Sequence, residues 1–84
     1  MVLAVFNNRT QALQFAGVLK GMTRNVRVIN TPREISVSCG LSVMFSEQNL
    51  KQARVIINGG KFSSFRGLYI KKNNGRMVYY EKIM

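Results

Sequence analysis

Val2-Leu3-Ala4-Val5-Phe6 is a short unbroken apolar run, the pattern of a buried strand. Asn7 and Asn8 follow as turn or cap residues, and Asn8 with Gln11 three positions on fits a capping box. Ala12, Phe15, Ala16, Leu19 and Met22 then recur at helical spacing. They predict a helix from about residue 9 to 20, with Gly21 placed where a left-handed residue would stop it. Val26-Arg27-Val28-Ile29 is β-branched and partly alternating, so it reads as a second strand. Leu41 to Phe45 alternates more cleanly: Leu41, Val43 and Phe45 share one face, Ser42 and Met44 the other.

Ser46 is placed to cap a second helix with Leu50, Ala53 and Ile57 on one stripe, ended by Asn58-Gly59-Gly60. Two further strands, Phe65 to Ile70 and Met77 to Tyr80, flank an Asn74-Gly75 turn, a strong hairpin signal. The order is strand, helix, strand, strand, helix, strand, strand. The first six elements match the ferredoxin-like split βαβ arrangement (βαββαβ). The expected fold is therefore α+β, one domain over residues 1–84, with two helices on one face of an antiparallel sheet. The last strand extends that sheet or forms a ribbon beside it.

Composition narrows the chemistry. There is one cysteine, no histidine and no aspartate, and Glu34, Glu47 and Glu81 are the only acids. A Ser-His-Asp or Cys-His centre cannot be assembled within one chain, and a mixed Cys/His zinc site lacks ligands. One cysteine forms no internal disulfide, which suits a reducing compartment. No apolar run approaches the roughly 18–20 residues of a membrane span. The run at Val2–Phe6 is too short for a signal-peptide core, and no basic segment precedes it. The expected setting is the cytoplasm, without a membrane partner.

The net charge is +10, from 13 Lys and Arg against 3 Glu. That excess makes an anionic partner plausible, although no block of five like charges occurs. Phe62, Phe65, Tyr69, Tyr79 and Tyr80 are interleaved with Lys61, Arg66, Lys71, Lys72, Arg76 and Lys82. Such a pattern can stack bases and hold phosphates. It also arises in a hairpin with one aromatic face packed inward and a solvated basic face, and this plainer reading is preferred. Gly59-Gly60-Lys61 lacks the rest of a phosphate loop. Apart from Met1 and Met84 at the chain ends, the methionines read as core filling and not as metal ligands.

The lone thiol, Cys39, closes the most distinctive string of the chain, Thr31-Pro32-Arg33-Glu34-Ile35-Ser36-Val37-Ser38-Cys39-Gly40. Thr31 at a cap, Pro32 at a first helical position and Glu34 at the third are helix-start signals. Residues Pro32 to Ser38 then form one or two turns ended by Gly40. In that case Cys39 feels the negative end of a helix dipole, and a thiolate needs a cation such as Arg33. Alternatively, Ser36 to Gly40 forms an anion-holding nest of backbone N–H groups. A buried, inert thiol is the plain competitor of both.

This string, continuing into Leu41 and Phe45, resembles the hallmark of a family of small bacterial domains described as selenium/sulfur carrier proteins. The resemblance covers about residues 1 to 57, from the strand ending at Phe6 onward. It implies that Cys39 carries sulfur or selenium as a persulfide or selenosulfide. Pro32, Arg33, Glu34, Ser36, Ser38 and Gly40 would form its supporting loop. Asn30 stands where the family often has Pro, and Val37 where a small polar residue is common. No cofactor or metal is implied, and the expected partners are donor and acceptor proteins. The role is a carrier or relay more than a stand-alone catalyst. The alternative is a non-catalytic basic module for nucleic acid or an acidic protein, with Cys39 structural. Redox sensing through a mixed disulfide at Cys39 lies between the two.

Overall fold

The computed structural model describes residues 1–35 and 40–84. Its elements are β1 (Val2–Phe6), α1 (Arg9–Lys20), β2 (Arg27–Asn30), β3 (Leu41–Phe45), α2 (Leu50–Asn58), β4 (Phe65–Asn73) and β5 (Val78–Lys82), with a single 3-10 turn at Glu47–Asn49 leading into α2. The strands form one antiparallel sheet in the order β2-β3-β1-β4-β5. The first four strands have the split βαβ order, and β5 extends the sheet beyond β4. No helix among the described residues is long and apolar enough to cross a membrane.

β1 lies at the centre, and all five of its residues are buried. Val2, Ala4 and Phe6 point toward the helices. They join Val43 and Phe45 of β3, Leu68 of β4, and Ala12, Phe15, Ala16, Leu19, Ala53 and Ile57 from the helices in one core. Both helices therefore pack on the same face. Phe15 anchors this layer, with ring centroids 5.2 Å from Phe6, 6.3 Å from Phe45 and 5.6 Å from Phe62. Edge and tilted contacts of this kind add to area burial. Phe62 and Phe65 are thus core aromatics, packed on Phe6.

Local chemistry sets the element ends, with some departures from the expected patterns. The Asn8 side chain accepts from Gln11 N at 3.1 Å, which is half of a capping box. The Gln11 side chain does not reach back. Its Oε1 accepts from Ser64 N at 2.8 Å and from Ser64 Oγ at 2.6 Å, and its Nε2 donates to Ser63 Oγ at 3.2 Å. A long-range tie between α1 and the entry to β4 has replaced the local return bond. Gly21 ends α1 in a right-handed conformation (φ −71°), with its N–H on Leu19 O and Val18 O, so no left-handed stop is used. After α2 the left-handed residue is Gly60 (φ 79°). Ser46 caps the 3-10 turn through Gln48 N at 3.3 Å.

The C-terminal hairpin is longer than its pattern indicated, running from Phe65–Asn73 to Val78–Lys82. Its turn is held by side-chain acceptors: Asn73 Oδ1 receives Gly75 N at 2.7 Å, and Asn74 Oδ1 receives Met77 N at 2.9 Å. Gly75 supplies the positive φ of 93° that the turn requires.

Phe15→Ala removes the ring on which three other aromatics converge. Large aromatic truncations in a core cost about 3–5 kcal/mol. A chain of this length has roughly 4–12 kcal/mol in total at about 0.05–0.15 kcal/mol per residue. Urea titration followed by circular dichroism is expected to show a variant unfolded or nearly so in buffer. A loss under about 1 kcal/mol would contradict the central place given to this ring.

Candidate functional site: the loop between β2 and β3

The second face of the sheet carries no helix, yet its central residues are buried. Leu3 is 0%, Val5 4% and Ser42 0% exposed. Their pairing partners identify what shares that face. Leu3 lies opposite Met44 and Tyr69, Val5 opposite Ser42 and Gly67, and Tyr69 opposite Lys82. The connection from β2 to β3 leaves the sheet beside these residues, and its described part comes near Val5: Ile35 and Val5 line the same cavity.

The ends of the loop are held together. Thr31 N donates to Gly40 O at 3.0 Å, continuing the β2–β3 ladder beyond the Asn30–Leu41 pair. The hydroxyls of Thr31 and Ser42 are hydrogen-bonded at 2.9 Å on the same face. Ser42 is fully buried, so a partner for its hydroxyl avoids the cost of an unpaired polar group. Gly40 is required by proximity. A Cβ placed on it would lie 2.8 Å from Phe6 O, the carbonyl ending β1. The glycine lets β1 and the foot of the loop approach in a way no other residue permits.

Within the loop, Ile35 N donates to Pro32 O at 3.0 Å and closes one turn. Pro32 and Ile35 are half-buried, whereas Arg33 and Glu34 face solvent. The helix start thus produces a turn at Pro32–Ile35, and the Thr31 hydroxyl bonds across the sheet to Ser42. Ser36, Val37, Ser38 and Cys39 lie outside the described residues. The structure accordingly brings together Thr31, Pro32, Gly40 and Ser42 at the loop's foot. The choice between helix end and backbone nest, and the pairing of Arg33 with Cys39, fall outside the description.

Three cationic residues border this loop that sequence reasoning did not attach to it. Arg9, at the start of α1, lines a cavity of about 200 Å³ with Asn7, Asn30, Gly40 and Leu41. Arg66 and Lys82 line a second cavity of about 360 Å³ with Val5, Asn7, Ile35 and Tyr69. The split βαβ order held the signal for Arg9 and Asn7. It pairs β1 with β3 antiparallel, so the residues after Phe6 meet those before Leu41.

The interleaved aromatics divide by face. Phe62 and Phe65 belong to the helix-side core. Tyr69 and Tyr80 share the loop side with Lys71 and Lys82, and Tyr79 pairs with Lys72 on the helix side. Lys72 also bonds Glu81 at 2.6 Å. That hydrogen bond, then the Glu81 charge, raises the Lys72 pKa above its ordinary value. Among the described residues no group of His, Cys, Asp and Glu is gathered to hold a metal.

A family model described as "Putative Se/S carrier protein-like" matches residues 1–69. The chain belongs to that family. The match contains the whole β2–β3 loop and ends inside β4, so the rest of the hairpin lies beyond it. No curated protein matches the chain, and no solved structure does.

Burial, and secondarily the Glu34 carboxylate of the loop, raise the Tyr80 phenol above the ordinary tyrosine pKa. The folded state therefore holds this proton more tightly than the unfolded chain. The resulting stabilisation is full below the ordinary value and fades as pH rises through the raised one. Glu34→Gln is expected to lower the Tyr80 midpoint, followed by its ring carbons in NMR, but not to remove the whole shift. An unchanged midpoint would contradict the placement of the loop turn beside the hairpin.

Proposed function

We propose that this protein carries sulfur or selenium on Cys39, as a persulfide or selenosulfide, from a donor protein to an acceptor protein. The observation that supports this reading is the family match, which spans the full Thr31–Gly40 loop. The pinned foot of that loop and the chemistry of a thiol agree with it. In loading, the Cys39 thiolate attacks the terminal sulfur of a donor persulfide. A new S–S bond forms at Cys39, and the donor's S–S bond breaks to release the donor thiolate. In delivery, an acceptor nucleophile attacks the terminal sulfur, and Cys39 leaves as a thiolate. Electrons balance in each exchange without an added oxidant. The chain has no His, and the donor and acceptor supply any proton transfer their own steps require.

A persulfide is ionised near neutral pH more readily than a thiol, and cations stabilise the anion. Arg33 is the loop's own cation. Arg9 borders Gly40, the residue after Cys39.

Brief alkylation of the native protein is expected to add one group at Cys39. Incubation with a cysteine desulfurase and free cysteine is expected to add sulfur that Cys39→Ser cannot accept. Labelling only after denaturation would defeat the proposal, because no donor could then reach the sulfur. Arg33→Ala and Arg9→Ala are each expected to raise the pH midpoint of alkylation, since a thiolate loses a favourable field. Midpoints equal to wild type in both would remove the cations from the mechanism and leave the loop backbone as the stabilising element.

A further inference from the structure

The larger cavity beside the loop is built from elements distant in sequence. Val5 of β1 and Ile35 of the β2–β3 loop give it apolar contacts, and Asn7 contributes an amide. Tyr69 and Arg66 come from β4 and Lys82 from β5. Its volume is about 360 Å³, which exceeds the ~30 Å³ share of one liquid water many times over.

Two features of the backbone place the cations there. The β1–β4 register slips between Val5, opposite Gly67, and Phe6, opposite Phe65. Arg66 is the extra residue of this bulge, and bulges re-aim side chains. Gly67 then leaves a bare patch of sheet. A Cβ at that position would lie 3.0 Å from Lys82 Cε and 3.3 Å from Tyr69 Cε1. The Lys82 chain and the Tyr69 ring thus lie against the glycine, with Met84 O also 3.0 Å from that Cβ, and Lys82 and Tyr69 both line the cavity.

No carboxylate lines this space. Among the described residues, the salt bridges are Lys72 with Glu81 and the amino terminus with Glu47, neither of them in the cavity. Arg66 and Lys82 line it together with a phenol and an amide, all of them hydrogen-bond donors, and neither cation is engaged in a salt bridge among the described residues. Like charges held close are unfavourable unless an anion lies between them.

We propose that this cavity binds a small doubly charged oxyanion of the phosphate or sulfate type. Arg66 supplies a planar fork of donors. Lys82 gives a compact charge, and Tyr69 Oη and Asn7 Nδ2 donate to the remaining oxygens. The site is built from described residues alone, independently of the carrier reading.

Titration with sodium phosphate and with sodium sulfate, read by ¹H–¹⁵N NMR at constant ionic strength set by chloride, tests it. The amides of Ile35, Gly67 and Tyr69 are expected to shift with saturation. Arg66→Gln and Lys82→Gln, both at exposed side chains, are each expected to weaken binding by about tenfold, in keeping with the loss of one charge-assisted bond. Lys51→Gln, on the other side of the molecule, is expected to bind as wild type. Shifts that never saturate, or that spread equally over all basic positions, would overturn the proposal as mere charge attraction. Saturation by a short single-stranded DNA but not by either inorganic ion would overturn it in favour of a nucleic-acid backbone site.

Discussion

A central strand buried on both faces has to be covered twice, and β1 is such a strand. The helices cover one side, where Val2, Ala4 and Phe6 meet the Phe15 cluster. Leu3 and Val5 face away from the helices and still lose all or nearly all contact with water. Leu3 lies between Met44 and Tyr69, and Val5 shares a recess with Ile35 of the loop and with Tyr69, Arg66 and Lys82 of the hairpin. The ten residues from Thr31 to Gly40 are many more than a tight hairpin needs. Of the described ones, Ile35 shares the cavity at Val5. The described ends of that segment are tied to the sheet, through Thr31, Gly40 and Ser42.

Close approach explains why small residues mark the site. Gly40 is fixed by a carbonyl 2.8 Å from where its Cβ would stand. Gly67 is fixed by the chains that lie against it. Ser42 is a buried hydroxyl in an otherwise apolar strand, paired with Thr31 as the loop departs. Each is a place where backbone or side chains approach more closely than a larger residue allows. The described ends of the loop therefore leave the sheet from a fixed base.

Periodicity carried most of the fold. The run Val2–Phe6, the helical repeat from Ala12 to Leu19 and the alternation of Leu41–Phe45 each reported burial directly, because burial was what placed those residues there. The element order then gave the sheet topology, since split βαβ units have few alternatives. What escaped was of another kind. Gln11 was read as a local cap, and its side chain serves Ser63 and Ser64 more than 50 residues away. The cations beside the loop are separated from it by whole elements, and only the β4 bulge and the hairpin register bring Arg66 and Lys82 to Ile35. Spacing along a chain does not encode such meetings. The loop's distinctive residues were legible as a string, and the helix-start signal at Thr31-Pro32 indicated a turn such as the one at Pro32–Ile35; the role of Thr31 across the sheet was not legible.

The charge distribution follows from the same geometry. With three carboxylates for thirteen cations, local neutralisation is scarce, and the fold directs where it occurs. Glu81 is taken by Lys72 on the helix-side face of the hairpin. Glu34 stands on the loop and acts on Tyr80. Neither is in a salt bridge with Arg66 or Arg9 among the described residues, and these cations line the two recesses beside the loop. Field lines concentrate in concave, low-dielectric surroundings, and a charge of +10 spread over a flat surface would have a weaker effect than the same cations at the edges of cavities. A thiolate, a persulfide anion and an oxyanion share the need for such a field. The basic character of the chain, uninformative as a total, becomes specific once the sheet has sorted it by face.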